Sequence, residues 1–184
     1  MLPTGHIAGG YLVAKAVLAI AHPALSVADQ EHLIWWTMFF SFAPDLDMFI
    51  MFFKLKKFRG EHGHNHRTSW FHAPVLWLVA GLILSLIGWG MSRTFIEYLG
   101  LLLWLGSWSH FVFDSIQDGI MWRWPFSSEF VPLVGTMPDH NAPHPTGGFF
   151  SYWSGAVKSY AVTEPWPFYL EFILIISALV VFFR

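Results

Sequence analysis

PVLWLVAGLILSLIGWGM, residues 74–91, is the stretch that decides the fold class. At 1.5 Å per helical residue it is about 27 Å long, roughly the thickness of a bilayer's hydrocarbon core, and so it predicts a membrane-spanning helix. The remainder of the chain agrees. Of 184 residues, 55% are hydrophobic and 12% charged, with 11 Trp and 19 Phe, and the mean hydropathy of +0.49 is too apolar for an ordinary soluble domain.

Working outward, Arg93 and Glu97 mark a turn, and residues 95–113 return across the membrane with their polar side chains at the far end. Upstream, residues 7–21 read as a helix on which Gly9, Gly10 and Val13 follow His6 on one face, small enough for a neighbour to approach closely. Lys15 points the other way, where it can snorkel. Pro23 to Gln30 reads as a connector. A helix starting near Glu31 runs until Pro44 interrupts it, and Met48 to Phe53 continues as an apolar segment. A long connection rich in Pro, Gly and Trp precedes a last apolar helix, 166–184, that contains Glu171. The expected architecture is all-α: a polytopic membrane helical bundle of about four to five membrane helices. We expect one membrane-embedded domain over 1–184, with a motif-bearing core at 1–126, an irregular loop at 127–165 and the C-terminal helix.

Composition also excludes functions. A net charge of −2 with 10 Lys and Arg leaves no basic face for nucleic acid as the main partner. With no cysteine, disulfides, thiolate metal sites and Cys nucleophiles are absent, and His with Asp/Glu remains as the strong ligand set. The N-terminus lacks a basic n-region and Lys15 interrupts its apolar run, so no cleaved signal peptide is expected. Lys54, Lys56, Lys57, Arg59 and Arg67 form the clearly basic loop, which the charge-bias rule places in the cytoplasm.

Against this apolar background, His6, Asp45, Asp47, His66, His72, His110 and Asp114 all fall at the ends of apolar segments or just inside them. Ionisable groups beside a bilayer core are costly unless paired, hydrated or metal-bound, and imidazoles with carboxylates point to metal. The alternation of membrane helices puts all of them on one face. His110 and Asp114, at i and i+4, share a helix face with Ser107, Gln117 and Asp118; they suit either one cation or a buried His–Asp pair joining two helices. Asp45 and Asp47 would diverge by about 200° on a continuous helix, so the Pro44 break is what allows both to aim at one centre. Asp47 is otherwise a helix cap. In the run 61–72, alternating His62, His64 and His66 superficially resemble a metallo-β-lactamase motif, but almost no strand periodicity supports that β-sandwich. Arg67 suits a bidentate phosphate clamp or a positive-inside charge. His140 and His144 lie in a proline-broken loop, where they cap the site or play no part. Glu171 reads as an intramembrane packing or cavity residue, and no Trp is assigned a chemical role.

Thr4-Gly5-His6, Pro44-Asp45-Leu46-Asp47, His66-Arg67 with His72, Gly106-Ser107-Trp108-Ser109-His110 with Asp114-Ser115, and Trp124-Pro125-Phe126 together resemble the membrane-bound metal-dependent hydrolase family described as LexA-regulated or YdjM-like. That family is distantly similar to the zinc-dependent phospholipase C and single-strand nuclease superfamily. The resemblance implies ligand roles for His6, Asp45, His66 or His72, His110 and Asp114. Here His72 lies six residues after His66 rather than the family's five, which leaves open which of the two binds. The stretch after residue 126 matches no family element.

Asp45, Asp47 and Asp114 bring three negative charges, which two divalent ions and a bridging hydroxide would nearly neutralise. We therefore expect a divalent metal, zinc for preference, in one to three copies with two preferred. The expected activity is hydrolysis of a phosphoester in a membrane lipid or lipid-linked substrate by a metal-activated hydroxide. Asp47 or Asp118 would support the ligands, and Arg67 would clamp phosphate. The expected location is a bacterial inner membrane, with the site on its cytoplasmic side. The competing reading is a non-enzymatic membrane metal-binding or metal-transport protein.

Overall fold

A computed structural model of the chain describes residues 2–55, 69–117, 119–134, 154–155, 157–158, 161–162 and 165–184. Helix α1 spans Pro3–Ala21, with Pro3 at the position that needs no N–H. It ends where His22 takes up a left-handed conformation (φ 43°) and Pro23 prevents continuation. The first turn therefore begins before residue 7, and His6 lies inside the helix rather than ahead of it. Helix α2 spans Val27–Phe42, a turn longer than its apolar pattern indicates. Ser26 caps it, accepting from the Asp29 backbone N–H at 3.1 Å and donating its hydroxyl to Asp29 Oδ2 at 2.7 Å, which offsets the weak apolar signal of residues 27–30.

Pro44 acts as expected. A buried 3-10 turn, Ala43–Asp45, separates α2 from α3, Leu46–Leu55. A second 3-10 turn, Trp70–His72, leads into α4, Pro74–Gly90, and the chain reverses into α5, Thr94–Gln117. Helix α6 covers Pro165–Phe182.

Small residues set the packing. The α4–α5 hairpin closes where Gly81 faces the Gly100 carbonyl and Trp104, and where Gly88 faces the Glu97 backbone. A β-carbon at Gly81 would lie 2.7 Å from the Gly100 oxygen, so only glycine permits this approach. Ser85 Oγ adds a hydrogen bond to the Glu97 carbonyl at 2.9 Å. Helices α1, α2 and α5 pack against one another around Ala14, Leu18, Leu33 and Leu102. Gly9 meets the Phe113 ring and Gly10 meets Ser41, the close approaches that their placement beside His6 predicts. Helix α4 lies on α5, and α6 lies on α1.

Outward faces stay apolar, with Ile83, Leu86 and Trp89 on α4 and Phe172, Ile173 and Ile176 on α6 exposed, as suits a lipid solvent. Pro3–Ala21 and Thr94–Ile116 are long and apolar enough to cross a membrane, whereas Pro74–Gly90 and Trp166–Phe182 are apolar but shorter. Among the described residues, length and composition thus give two candidate spans within an all-helical bundle. After α5, residues 120 and 131 form an isolated antiparallel bridge. The Leu133 N–H and the Trp122 indole bind the Ser115 carbonyl and hydroxyl at 2.6 and 2.8 Å, fixing the start of the connection to the end of α5.

Candidate metal centre

Four separate segments deliver side chains to one end of the bundle. His6 comes from the first turn of α1, Asp45 and Asp47 from the Pro44 break, His72 from the turn before α4, and His110 and Asp114 from the last turns of α5. His6, His72, His110 and Asp114 are fully buried; Asp45 and Asp47 keep 7% and 6% exposure. His66, Arg67 and Asp118, and with them His62, His64, His140 and His144, lie outside the described residues.

His110 is oriented by a main-chain group that the sequence pattern did not single out. Because α2 stops at Phe42, its last carbonyls have no intrahelical partner, and one of them, Ser41 C=O, accepts from His110 Nδ1 at 2.9 Å. A carbonyl can only accept, so Nδ1 carries a proton and Nε2 is the nitrogen turned towards the centre. That Nε2 is buried without a hydrogen bond. It faces Asp45 Oδ1 at 3.7 Å and Asp114 Oδ2 at 3.5 Å. In a neutral ring this nitrogen would direct its lone pair at two carboxylates, an arrangement that a bound cation would relieve.

His72 is likewise oriented through its Nδ1. Its Nδ1 donates to Asp47 Oδ2 at 3.0 Å, the carboxylate–histidine arrangement that fixes a metal-binding tautomer, and its Nε2 lies 3.5 Å from Asp45 Oδ1. Burial disfavours the charged ring, but Asp45 and Asp47 together outweigh it and raise the His72 pKa to about 9 in the metal-free protein. Two indoles brace this corner. Trp77 Nε1 donates to the Phe71 carbonyl at 2.7 Å and Trp108 Nε1 to the Pro74 carbonyl at 3.0 Å, so these two Trp residues support His72 from the main chain.

One ligand atom from each of Asp45, His72, His110 and Asp114 lies within 4.8 Å of all the others. An ion held at about 2.1 Å by four tetrahedral ligands would space them about 3.4 Å apart, close to the 3.5–3.7 Å separations here. Direct charged hydrogen bonds would instead be about 2.7–2.9 Å. The donor set, two imidazoles and two carboxylates, suits a divalent ion such as zinc. These four residues could therefore hold a metal ion.

His6 adjoins this group. Its ring stacks on His110 at a centroid distance of 3.9 Å and an interplanar angle of 23°, and Nε2 lies 3.3 Å from Asp114 Oδ1. Asp114 thus presents one oxygen towards His6 and the other towards His110. Both His6 ring nitrogens are buried without a hydrogen bond. Glu171 contacts the start of α1 rather than the cluster.

No curated protein and no solved structure gives a significant match to the chain. A model of the YdjM inner membrane protein family matches residues 1–184, and the chain belongs to that family.

Proposed function

We propose that this chain is a membrane-embedded metal-dependent hydrolase acting on a phosphoester of a lipid or lipid-linked molecule. The observation that carries the reading is the convergence of Asp45, His72, His110 and Asp114, with two imidazoles held by outer partners so that a nitrogen of each faces the centre. When bound, a divalent ion supplies Lewis acidity, lowering the pKa of water to about 7 and polarising the ester's oxygen.

In this reading zinc is the preferred ion, in two copies for preference. Asp45, His72, His110 and Asp114 would hold one, and His6 beside Asp114 would serve the other. Asp47 fixes His72, and the Ser41 carbonyl fixes His110. Arg67 clamps the phosphate, and Asp118, just beyond α5, supports the ligands. A phosphoester rather than an acyl ester is proposed from the motif resemblance read in the sequence. The site is at one end of the apolar helices, where a lipid headgroup would sit, and the adjoining basic loop favours the cytoplasmic side.

The test is to incubate the zinc-loaded protein in detergent or nanodiscs with a panel of phospholipids and lipid-linked phosphates and to measure released phosphate and headgroup. Metal-dependent release that disappears in His110→Ala supports the reading. Full zinc occupancy with no product from any lipid would favour the metal-binding or transport alternative.

A further inference from the structure

We infer that Glu171 is a positioning residue for His6, acting from the C-terminal helix on the first turn of α1. The start of α1 cannot cap itself. Its N-cap is Leu2, whose side chain makes no capping hydrogen bond, and Pro3 follows. The N–H groups of a helix's first turn have no intrahelical acceptors and need partners from elsewhere. Glu171 supplies such partners across 166 residues, taking the Leu2 N–H and sharing the Gly5 N–H with the Leu2 carbonyl, which lies 3.0 Å away. Its Oε1 accepts from the Thr4 hydroxyl at 2.8 Å and from the Gly5 N–H at 3.1 Å, and its Oε2 accepts from the Leu2 N–H at 3.2 Å.

Glu171 is 3% exposed, and its carboxylate sits at the N-terminal end of α1. Gly5 is required by this contact, since a β-carbon there would lie 2.8 Å from Glu171 Cγ. The next residue is His6, whose ring is held between His110 and Asp114. Thr4-Gly5-His6 therefore divides its work: Thr4 and Gly5 engage α6, and His6 engages α5. Because α6 packs on α1, it braces the turn that carries His6, and loss of the carboxylate would let that turn fray.

The inference rests on the metal-centre reading only through its affinity readout. Zinc affinity is measured by chelator competition on the purified full-length protein, comparing Glu171→Leu and Glu171→Gln in wild-type and His6→Ala backgrounds. Amide hydrogen exchange at Leu2 and Gly5 is followed in parallel. Loss of a set of charge-assisted hydrogen bonds is expected to weaken zinc binding about tenfold in Glu171→Leu. Glu171→Gln, which keeps an oxygen for Thr4 and Gly5, should lose less and serves as the reporter if Glu171→Leu does not fold. In the His6→Ala background the Glu171 effect should fall below about twofold, because coupled residues are non-additive. Equal losses in both backgrounds would show a general structural role and overturn the inference. If the wild type binds no zinc, the metal reading fails. The clamp is then decided by exchange alone: faster exchange at Leu2 and Gly5 in Glu171→Leu supports it, and unchanged exchange overturns it.

Discussion

Replacing Asp47 by Asn should weaken metal binding by an amount that depends on pH, because Asp47 acts on His72 in two opposing ways. Through its 3.0 Å contact with Nδ1 it orients the ring and strengthens it as a ligand; removing such a partner typically weakens affinity about 10–100-fold. The same carboxylate, with Asp45, raises the metal-free His72 pKa to about 9. At pH 7 an incoming ion must therefore displace a proton held about two units above the ambient pH, a competition of about 100-fold, or about 3 kcal/mol. Wild-type apparent affinity should rise about tenfold per pH unit from pH 7 and level off above pH 9. Asn at position 47 keeps an acceptor for Nδ1–H but removes the charge, so its plateau should begin at lower pH and lie lower. The two curves then converge towards pH 7 and separate by at least about tenfold above pH 9. Chelator-competition titration of zinc or cobalt from pH 6.5 to 9.5 measures both. Parallel curves, or a flat wild-type profile, would refute the assignment of Asp47 as the carboxylate that tunes His72.

The same proton makes the metal-free protein sensitive to alkali. The folded pKa of His72 lies above its ordinary 6.5, so its contribution is fully present below pH 6.5 and is lost as pH rises through about 9, up to about 3 kcal/mol in all. Thermal unfolding of metal-stripped protein should show Tm falling over that window, and a rising Tm would contradict the ion pairing at His72. Zinc at 100 times Kd should add about 2.7 kcal/mol of stability, seen as a Tm rise that chelator reverses. Gly88→Ala, whose β-carbon would collide with the Glu97 backbone, should destabilise by about 1–3 kcal/mol. Gly90→Ala, with open space around it, should be neutral or stabilise by up to about 1 kcal/mol; equal effects from the two would contradict the α4–α5 packing. Trp77→Phe removes the indole bond to the Phe71 carbonyl and should weaken zinc binding several-fold while the helical circular dichroism is kept.

Much of the bundle was legible because apolar length, proline and turn residues act locally. Pro44 announces the break that turns Asp45 and Asp47 to one side, and the i,i+4 spacing places His110 above Asp114. Helix starts were less legible. α2 begins at Val27 because a single serine caps it, although its first turn is polar. α1 begins at Pro3 because its cap arrives from Glu171, far along the chain. The partners that orient the imidazoles were similarly hidden. Ser41 contributes a carbonyl, which any residue carries, and it is free to do so only because α2 ends one residue later. The choice between His66 and His72 could not be read from spacing; the fold brings His72 into the cluster through the turn Trp70–His72, and His66 lies outside the described residues. Glu171 read as a packing residue, and its contact with α1 became visible only once the two helices lay side by side.

The most direct measurement is metal content per chain, by elemental analysis, in the wild type, His110→Ala and Asp114→Ala, with solubility and helicity matched. Bound divalent metal is expected in the wild type, close to two equivalents if the second position is used, with a fall in both variants. A wild type that purifies without metal and takes up none, or variants that retain the full complement, would contradict it.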